Sequence, residues 1–531
     1  MLDNVVANYL DNLEEREFDA PFMALLRATG FREIHLLHGP FEFGKDFIAQ
    51  NTDAGLPCQF AFQTKAGDIG LADWNVCRGQ IDLLRTNSLA HPAFDTQLPR
   101  RAVFVTTGRL VGGAALAAQE YSRFLGQNGE TGFTTWDKEK LVELISRSPE
   151  IGLSGHSNGP LLSIVGAIDQ GVVTDSELER FSRTWVTPDE PFSLHRSALE
   201  AAIVCNRLRR SERLDLGCYV ALCLVRAAWA SAHGPIPGTA EATMVAEAGR
   251  SLFKHYAGDL FARCDEEVLD ASKLICSYEP PSAHVTYPVR CLRLVELLGL
   301  LGFLQFEEQG HPDESLTRFL SRFFSVHPGA AHPLSDRWAV SLVAPILLLA
   351  NSQLSEVIRS VLTETVRWIG DRYETRASGL AGPTSTPDEE ISYLLGGPFE
   401  HVNVERRMES YVATVVLDLA AVLEMGDVFE LARNDFLAVA ANPCVVEVKD
   451  TPGQYTIDAT DLTFEANMTY AETWLPQDRW KVAPHHTRGP DSYYLQRIGR
   501  PWDHLAISSV LRDRHFVSTC RGFVEKGQRA S

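Results

Sequence analysis

The spacing of hydrophobic residues changes along the chain near residue 150. Before that point helical and strand-like periods alternate, whereas after it nearly every period is helical. We therefore predict an α/β domain over residues 1–150, followed by a large, mostly α-helical region. A loop-like stretch rich in Gly, Ser and Pro begins at residue 377, so the helical region is predicted to consist of residues 151–376 and 377–531, which could also form one unit.

Within the first 150 residues, the apolar pattern predicts the element order αβββαβαβα. Apolar positions between Asn4 and Thr29 recur at helical spacing, and Pro21 interrupts them. Proline fits the first turn of a helix, so we predict a short helix and then a second one that begins just before Pro21. The predicted strands are 33–37, 45–50, 59–65, 101–107 and 133–136, the hairpin turn is 51–57, and the later helices are 72–86, 113–125 and 138–146.

The strand that ends in FQTK carries polar residues where a buried strand would be apolar. Successive side chains of a strand point to opposite faces, so Gln63 and Lys65 share one face. Asp46 lies on the strand that is predicted to pair with it. We therefore expect a carboxylate, an amide and an ammonium group to converge at one edge of the sheet.

Such a group of side chains can hold a divalent metal ion and a phosphate. Asp46 offers an anionic oxygen, and the Gln63 side chain and the Thr64 backbone offer carbonyl oxygens, which suits Mg²⁺. Lys65 would then position or activate the attacking water and offset charge on the phosphoryl oxygens.

Five segments in a fixed order carry a resemblance to a known family. They read FDAPFMALLRATGF, HGPFEFGKD, FQTK, RGQIDLL and AVFVTTGRLVGGAALAAQEY. Together they resemble the catalytic domain of Mrr-like restriction endonucleases, in the QxK branch of the PD-(D/E)xK nuclease superfamily. The resemblance covers residues 1–150 and implies a restriction-endonuclease-like fold with an αβββαβ core and a mixed sheet.

The resemblance also implies roles for individual residues. Asp46 matches the metal-binding aspartate, Gln63 and Lys65 match the QxK pair, Asp19 matches the acid of the first core helix, and Gln80 matches a polar position that faces the site. The family usually has Glu at the helical position and Pro-Asp before the strand, and this chain has neither. Two acids are alternatives for the helical position and one could be a supplementary acid: Glu15, Glu17 and Glu42.

The function that the resemblance implies is metal-dependent endonuclease activity, with Mg²⁺ as cofactor and Mn²⁺ as a possible substitute. The partner is expected to be nucleic acid, DNA in the first place, and the setting bacterial restriction or antiphage defence. The helical region would then be a sensor, a regulator or an oligomerisation module, and a homo-oligomer or an activating protein partner is conceivable. The alternative is an inactive nuclease fold that binds nucleic acid or acts as a scaffold.

Charge restricts how nucleic acid could bind. The chain has 49 Lys and Arg residues against 69 Asp and Glu residues, a formal net charge of −20. Broad attraction to nucleic acid or anionic lipid is therefore not expected, and contacts must be local, metal-assisted or shared with a partner. A local basic rim is predicted from Arg78, Arg85, Arg100, Arg101 and Arg109.

The remaining sequence features favour a cytoplasmic protein with no membrane partner. The ten cysteines include no CxxC pair, and the N-terminus lacks the basic and apolar segments of a secretory signal. The most apolar runs are shorter than the ~18–20 residues that a membrane span needs.

Two further motifs carry less weight. Gly155–Gly159 matches GxSxG, but the strand that a nucleophile elbow needs is missing before it, so we favour a glycine-rich connection over a hydrolase built on Ser157. His485 and His486 have no further ligand at a recognisable spacing, which favours a surface loop.

Overall fold

A computed structural model describes residues 2–37, 45–53, 55–89, 91–130, 132–147, 151, 159–186, 194–231, 239–264, 266–269, 283–311, 313–375, 378–382, 385, 387–395, 407–448, 462–465, 500–512, 520 and 524. The chain forms two compact units, residues 1–173 with 190–207 and residues 174–189 with 208–531. The first unit thus extends past the predicted boundary at residue 150. Glu42, Ser157, His485 and His486 lie outside the described residues.

The first unit contains the predicted alternation of helices and strands. Its strands are β1 (Arg32–Leu36), β2 (Phe47–Asp53), β3 (Leu56–Lys65), β4 (Arg100–Thr106) and β5 (Phe133–Trp136). The helices along this part of the chain are α1 (Leu2–Asp11), α2 (Asp19–Ala28), α3 (Leu71–Thr86), α4 (Gly113–Gln127), α5 (Lys138–Ser146), α6 (Gly159–Asp169), α7 (Asp175–Arg183) and α8 (Leu194–Arg210). As predicted, Pro21 occupies the first turn of α2.

The five strands form one mixed sheet in the order β1-β2-β3-β4-β5. β2 is antiparallel to both of its neighbours, β1 and β3, and β4 and β5 continue the sheet in parallel to β3. The prediction of a mixed sheet within an N-terminal α/β unit is confirmed. Parallel neighbours need crossover connections, and α3 and α4 provide them.

The alternation in β3 divides the core of this unit into two layers. Phe62 points to one face, where its ring centroid lies 5.4 Å from Phe22, 5.6 Å from Phe31 and 5.7 Å from Trp136. Ala61 points to the other face and packs with buried residues of α3 and β4. β3 is thus covered on both faces, and Gln63 and Lys65 lie at its carboxyl end.

The β2–β3 hairpin is longer than predicted. Residues 51–57 were expected to form the turn, but the register pairs Asn51 with Cys58, Thr52 with Pro57 and Asp53 with Leu56. Gly55 lies where the chain reverses direction and has a φ of +82°, a conformation that glycine adopts without steric cost. The predicted extent of the turn is therefore wrong.

The carboxyl ends of β3 and β4 are tied together by the Thr-Thr-Gly sequence. Thr106 Oγ1 donates to the Gly67 carbonyl at 2.6 Å, and the Gly67 N–H donates to Thr107 Oγ1 at 2.9 Å. A Cβ on Gly108 would lie 2.2 Å from the Gly67 carbonyl carbon. Only glycine allows this close approach, which fixes the chain just after Lys65.

The second unit is mostly helical, as predicted. Its helices after α8 are α9 (Leu214–Ser231), α10 (Thr239–Ala262), α11 (Glu266–Leu269), α12 (Ala283–Gln309), α13 (Glu314–Val326), α14 (Val343–Asn351), α15 (Ser355–Gly370), α16 (Pro387–Leu395), α17 (Tyr411–Val422), α18 (Gly426–Val439) and α19 (Pro501–Leu511). Short strands form two further pairs: Glu409–Ser410 with Asn442–Pro443, and Val445–Val448 with Leu462–Glu465. In the described part of the chain, the structure contains no helix that combines the length and the apolar character needed to cross a membrane.

Two close pairs of buried charges lie in the second unit. Arg250 Nη1 donates to Asp503 Oδ1 at 2.6 Å, and Arg512 Nη2 donates to Glu296 Oε2 at 2.9 Å. Tyr219 and Ser341 also donate to that Glu296 oxygen, at 2.5 and 3.1 Å. These bonds attach α19 and the residue after it to the helical core.

Candidate functional site

Asp46 lies at the entrance to β2, between two neighbouring strands. Its backbone N–H donates to the Phe62 carbonyl, and its carbonyl accepts from the Leu37 N–H, both at 2.8 Å. Phe47 pairs with Phe62 in the antiparallel register. Asp46 therefore stands beside Gln63, as the alternation of the sequence predicts.

One oxygen of the Asp46 carboxylate collects three hydrogen bonds. Asp46 Oδ2 accepts from the Thr64 N–H at 2.6 Å, from Gln63 Nε2 at 3.0 Å and from Thr64 Oγ1 at 3.0 Å. The structure thus brings together the three residues predicted to offer metal ligands. The contact of the Thr64 hydroxyl was not predicted, since only the backbone carbonyl of this residue was expected to take part in the site.

The environment of Asp46 disfavours its charge. Burial raises the pKa of the Asp46 carboxyl above its usual value, although the hydrogen bonds from Thr64 and the charge of Lys65 act in the opposite direction. Glu15 adds to the rise through its own negative charge. A buried carboxylate whose neighbours do not fully balance its charge is a favourable position for a cation.

Gln63 has an unused acceptor beside this carboxylate. The side chain is 3% exposed, and among the described residues its Oε1 atom is buried without a hydrogen-bond partner. Buried side-chain oxygens nearly always have a partner in folded proteins. A cation or a water molecule at this position would supply one.

Lys65 follows on the same strand and meets an acid from the N-terminal segment. Its Nζ lies 3.0 Å from Glu15 Oε1, in the turn between α1 and α2. Asp19 is the first residue of α2 and is half-buried, and Glu17 accepts a hydrogen bond from the Glu14 N–H at 2.9 Å. Among the three candidate acids, Glu15 therefore has a contact with the predicted site, and the role of Asp19 stays a prediction.

Gln80 lies on α3, where it shares a face with Cys77 one turn earlier. Burial raises the pKa of Cys77, and the charge of Lys65 partly opposes this rise, so this face of the helix is within electrostatic reach of Lys65. Gln80 Oε1 is buried and has no hydrogen-bond partner among the described residues. Its predicted participation in the site stays a prediction.

Lys45, which directly precedes Asp46, is not among the predicted site residues. It is fully buried, and Nζ donates to the Leu83 carbonyl at 3.1 Å near the end of α3. Burial lowers the pKa of Lys45 to about 8, and the charge of Arg100 adds to this effect. Arg100 donates to the Arg85 and Asn87 carbonyls at 3.0 and 2.8 Å. Both cations thus satisfy carbonyl groups at the carboxyl end of α3.

The arginines of the predicted basic rim are engaged within the first unit. Arg101 pairs with Asp53 and Arg109 with Glu139, while Arg85 bridges Asp82 and Glu130. Arg78 lies over the Tyr121 ring, 4.4 Å from its centroid. Arg101 and Arg109 are still 45% and 60% exposed, so they keep donors available at the surface.

The oxygen donors around Asp46 fit magnesium better than a transition metal. Within the described residues no group of three or more His, Cys, Asp or Glu side chains is placed to hold a metal ion. Mg²⁺ needs fewer protein ligands, because it retains several waters and takes one or two carboxylates. Asp46 and the unused Gln63 oxygen provide such a partial set, which the Thr64 carbonyl would extend.

Searches of protein-family models, curated proteins and solved structures find no match to this chain. The assignment of the site therefore depends on its own geometry and on the order of its motifs.

Proposed function

We propose that this protein is a metal-dependent endonuclease whose N-terminal unit has the restriction-endonuclease fold. The observation that carries the proposal is the convergence on the Asp46 carboxylate of Gln63 and Thr64, 3.0 and 2.6 Å away, with Lys65 next on the same strand. A mixed sheet of five strands holds this group at the end of its central strand. The expected substrate is a phosphodiester, in DNA in the first place.

The residues would divide the chemistry between them. Asp46, Gln63 and the Thr64 carbonyl would hold Mg²⁺, or Mn²⁺ in its place, which lowers the pKa of a bound water and polarises the phosphoryl group. Lys65 is half-buried beside this position, where its ammonium group offsets charge that develops on the phosphoryl oxygens. Glu15 holds the ammonium group in place before substrate arrives.

The setting that we propose is bacterial restriction or antiphage defence in the cytoplasm. The helical unit would sense a signal, regulate the nuclease or assemble copies of the chain. The net charge of −20 favours control by a partner or an oligomer, because a free acidic protein is repelled by DNA. One site cuts one strand at a time, so cutting both strands would favour a homo-oligomer.

An inactive nuclease fold that binds nucleic acid is the second candidate. Two observations favour it: Lys65 is already paired with Glu15, and the predicted rim arginines pair with acids of their own unit. Binding of DNA without metal-dependent cleavage would distinguish this candidate from the endonuclease.

The test is cleavage of plasmid and single-stranded DNA by the purified full chain. We expect cutting with Mg²⁺ or Mn²⁺, none with EDTA, and none by Asp46→Ala. Glu120→Gln, an exposed change on α4, is the matched control and should cut like the wild type. Cutting by Asp46→Ala at the wild-type rate would refute the assignment.

A further inference from the structure

The second unit contains a cavity of about 610 Å³. One stripe of α12 forms much of its wall: Thr286, Val289, Arg290, Arg293, Leu294 and Leu297. Their spacing of three and four residues places them on one face of the helix. A helix face that packs against a core is normally apolar, and this one carries two arginines into a cavity.

The charge of the lining is unbalanced. Arg213 and Arg263 join the two arginines of α12, whereas the lining contains two carboxylates, Glu212 and Asp215. Arg263 pairs with Glu212, and Arg213 donates to both oxygens of Asp215 at 3.2 and 3.3 Å. Asp175, outside the lining, pairs with Arg293, so four arginines stand against three carboxylates and a small excess of positive charge is left.

Arg293 belongs to the framework of the unit. It pairs with Asp175 and donates to Asp215 Oδ2 at 2.9 Å, and its guanidinium lies 5.9 Å from the centroid of the Tyr219 ring. Burial alone would raise the pKa of Asp215, but its bonds to Arg213 and the charge of Arg293 lower it below the usual value. Asp215 thus stays charged and holds two of the four arginines in position.

The other ion pair is open to exchange. Arg263 and Glu212 are 47% and 74% exposed, and ion pairs this exposed contribute little to stability. A phosphate group, like a carboxylate, can accept two parallel hydrogen bonds from a guanidinium, and a phosphomonoester carries more negative charge than a carboxylate. Arg263 can therefore exchange Glu212 for a ligand phosphate at small cost.

The rest of the lining suits an apolar body. Leu214, Leu260, Val268 and Phe323 contribute side chains from four further elements. The volume lies within the ~300–1,000 Å³ of small-molecule sites, which combine apolar walls with a few polar groups. We propose that this cavity binds a nucleotide, with the phosphate at the arginines and the base against the partly exposed side chains of Leu260, Val268 and Leu294. The proposal does not depend on the nuclease function.

The test is calorimetric titration of the full chain with AMP, GMP, CMP and UMP, with adenosine and inorganic phosphate as controls. We expect at least one nucleotide to bind with Kd below about 1 mM. Adenosine, which lacks the phosphate, and inorganic phosphate, which lacks the nucleoside, should each bind at least tenfold more weakly, because the arginines and the apolar wall both contribute. If none of the four nucleotides binds, or if inorganic phosphate binds as tightly, the proposal is wrong.

Two variants locate the site. Arg263→Gln should weaken nucleotide binding at least tenfold, and Leu294→Trp should abolish it by filling the cavity. Arg367→Gln, on a side chain that is 73% exposed and outside the cavity, is the matched control. Thermal unfolding of each variant identifies any loss of fold. Wild-type binding by both folded cavity variants would place the nucleotide elsewhere and overturn the proposal.

Discussion

Two buried ion pairs of the helical unit differ from the buried Asp46 carboxylate of the sheet unit. In the helical unit, burial alone would lower the pKa of Arg250, but the charge of Asp503 raises it above the usual value, and Glu296 does the same for Arg512. In the sheet unit, burial raises the pKa of Asp46 despite its hydrogen bonds. These two ion pairs favour the charged form, and the surroundings of Asp46 oppose it. Asp336 of the helical unit resembles Asp46, because burial raises its pKa despite the charge of Arg407.

We interpret this difference as one between ion pairs that stabilise the fold and a carboxylate that is positioned to bind a cation. A buried ion pair with matched charges contributes to the fold, although Glu296 Oε1 also lacks a hydrogen-bond partner among the described residues. Asp46 has a raised pKa, and beside it Gln63 Oε1 has no partner among the described residues. Perturbed and incompletely satisfied groups are more common at functional sites than in structural cores.

Apart from Asp46 itself, the largest loss of cleavage is expected at Lys65. Its replacement by Ala removes the ammonium group beside the site, so metal-dependent cleavage should fall about 100-fold or more. The measurement is the initial rate of plasmid cleavage with Mg²⁺. Lys140→Ala, at a surface ion pair with Glu143, is the matched control and should leave the rate unchanged. An unchanged rate in Lys65→Ala would remove this residue from the mechanism.

The largest loss of stability is expected when the Arg512–Glu296 ion pair of the helical unit is broken. Arg512→Met leaves Glu296 buried and without its cation, which should lower the free energy of unfolding by about 3–5 kcal/mol. Equilibrium unfolding in urea measures this loss. The double variant Arg512→Met with Glu296→Met should recover much of it, because no charge then stays buried. A double variant as unstable as the single one would contradict the matched-pair interpretation.

For Asp46 we expect the opposite change: removal of its charge should raise the free energy of unfolding at pH 7. Its pKa is raised in the folded state, so its contribution favours folding at low pH and is lost as the pH rises through the folded pKa. Asp46→Asn keeps an acceptor oxygen and removes the charge, and should stabilise the protein by about 0.5–2 kcal/mol at pH 7. Thermal unfolding in EDTA tests this, and the difference should vanish near pH 4. A marked loss of stability at pH 7 would make Asp46 a structural charge.

The smallest effect is expected at His332. Burial lowers its pKa, although Glu364, 3.1 Å away, and Asp371 raise it, and Arg372 lowers it further. The neutral ring therefore stabilises the fold above the unfolded pKa of about 6.5, and this contribution is lost as the pH falls. His332→Phe keeps the stack on Trp368 and should reduce the acid-induced loss by about 0.5 kcal/mol. Unfolding in urea at pH 5 and pH 8 measures it, and an unchanged pH dependence would contradict this role.

The sequence predicted the local part of this structure best. The alternation in β3 placed Gln63 and Lys65 on one face, and strand pairing placed Asp46 beside Gln63, because both features follow from the period of a strand. The hairpin was predicted too short, since residues 51–53 and 56–58 include Asn, Asp and Pro, which usually mark turns. Pairing along the sheet outweighed that preference.

Contacts between segments that are far apart in the sequence could not be predicted from the hydrophobic pattern of either segment. The bond of Glu15 to Lys65 depends on how the turn between α1 and α2 packs against the end of β3. Arg512 meets Glu296 across 216 residues of sequence, and neither residue differs in type from many solvent-exposed ones. Such pairs depend on tertiary packing, which the period of a single segment does not encode.

The most direct test is the rate of Mg²⁺-dependent plasmid cleavage by Asp46→Asn, in protein whose thermal unfolding midpoint has been measured. We predict at least a 100-fold loss of cleavage in a variant that is as stable as the wild type or more stable. Wild-type cleavage by this variant would contradict the proposed site. Loss of cleavage together with loss of stability would show that Asp46 serves the fold instead.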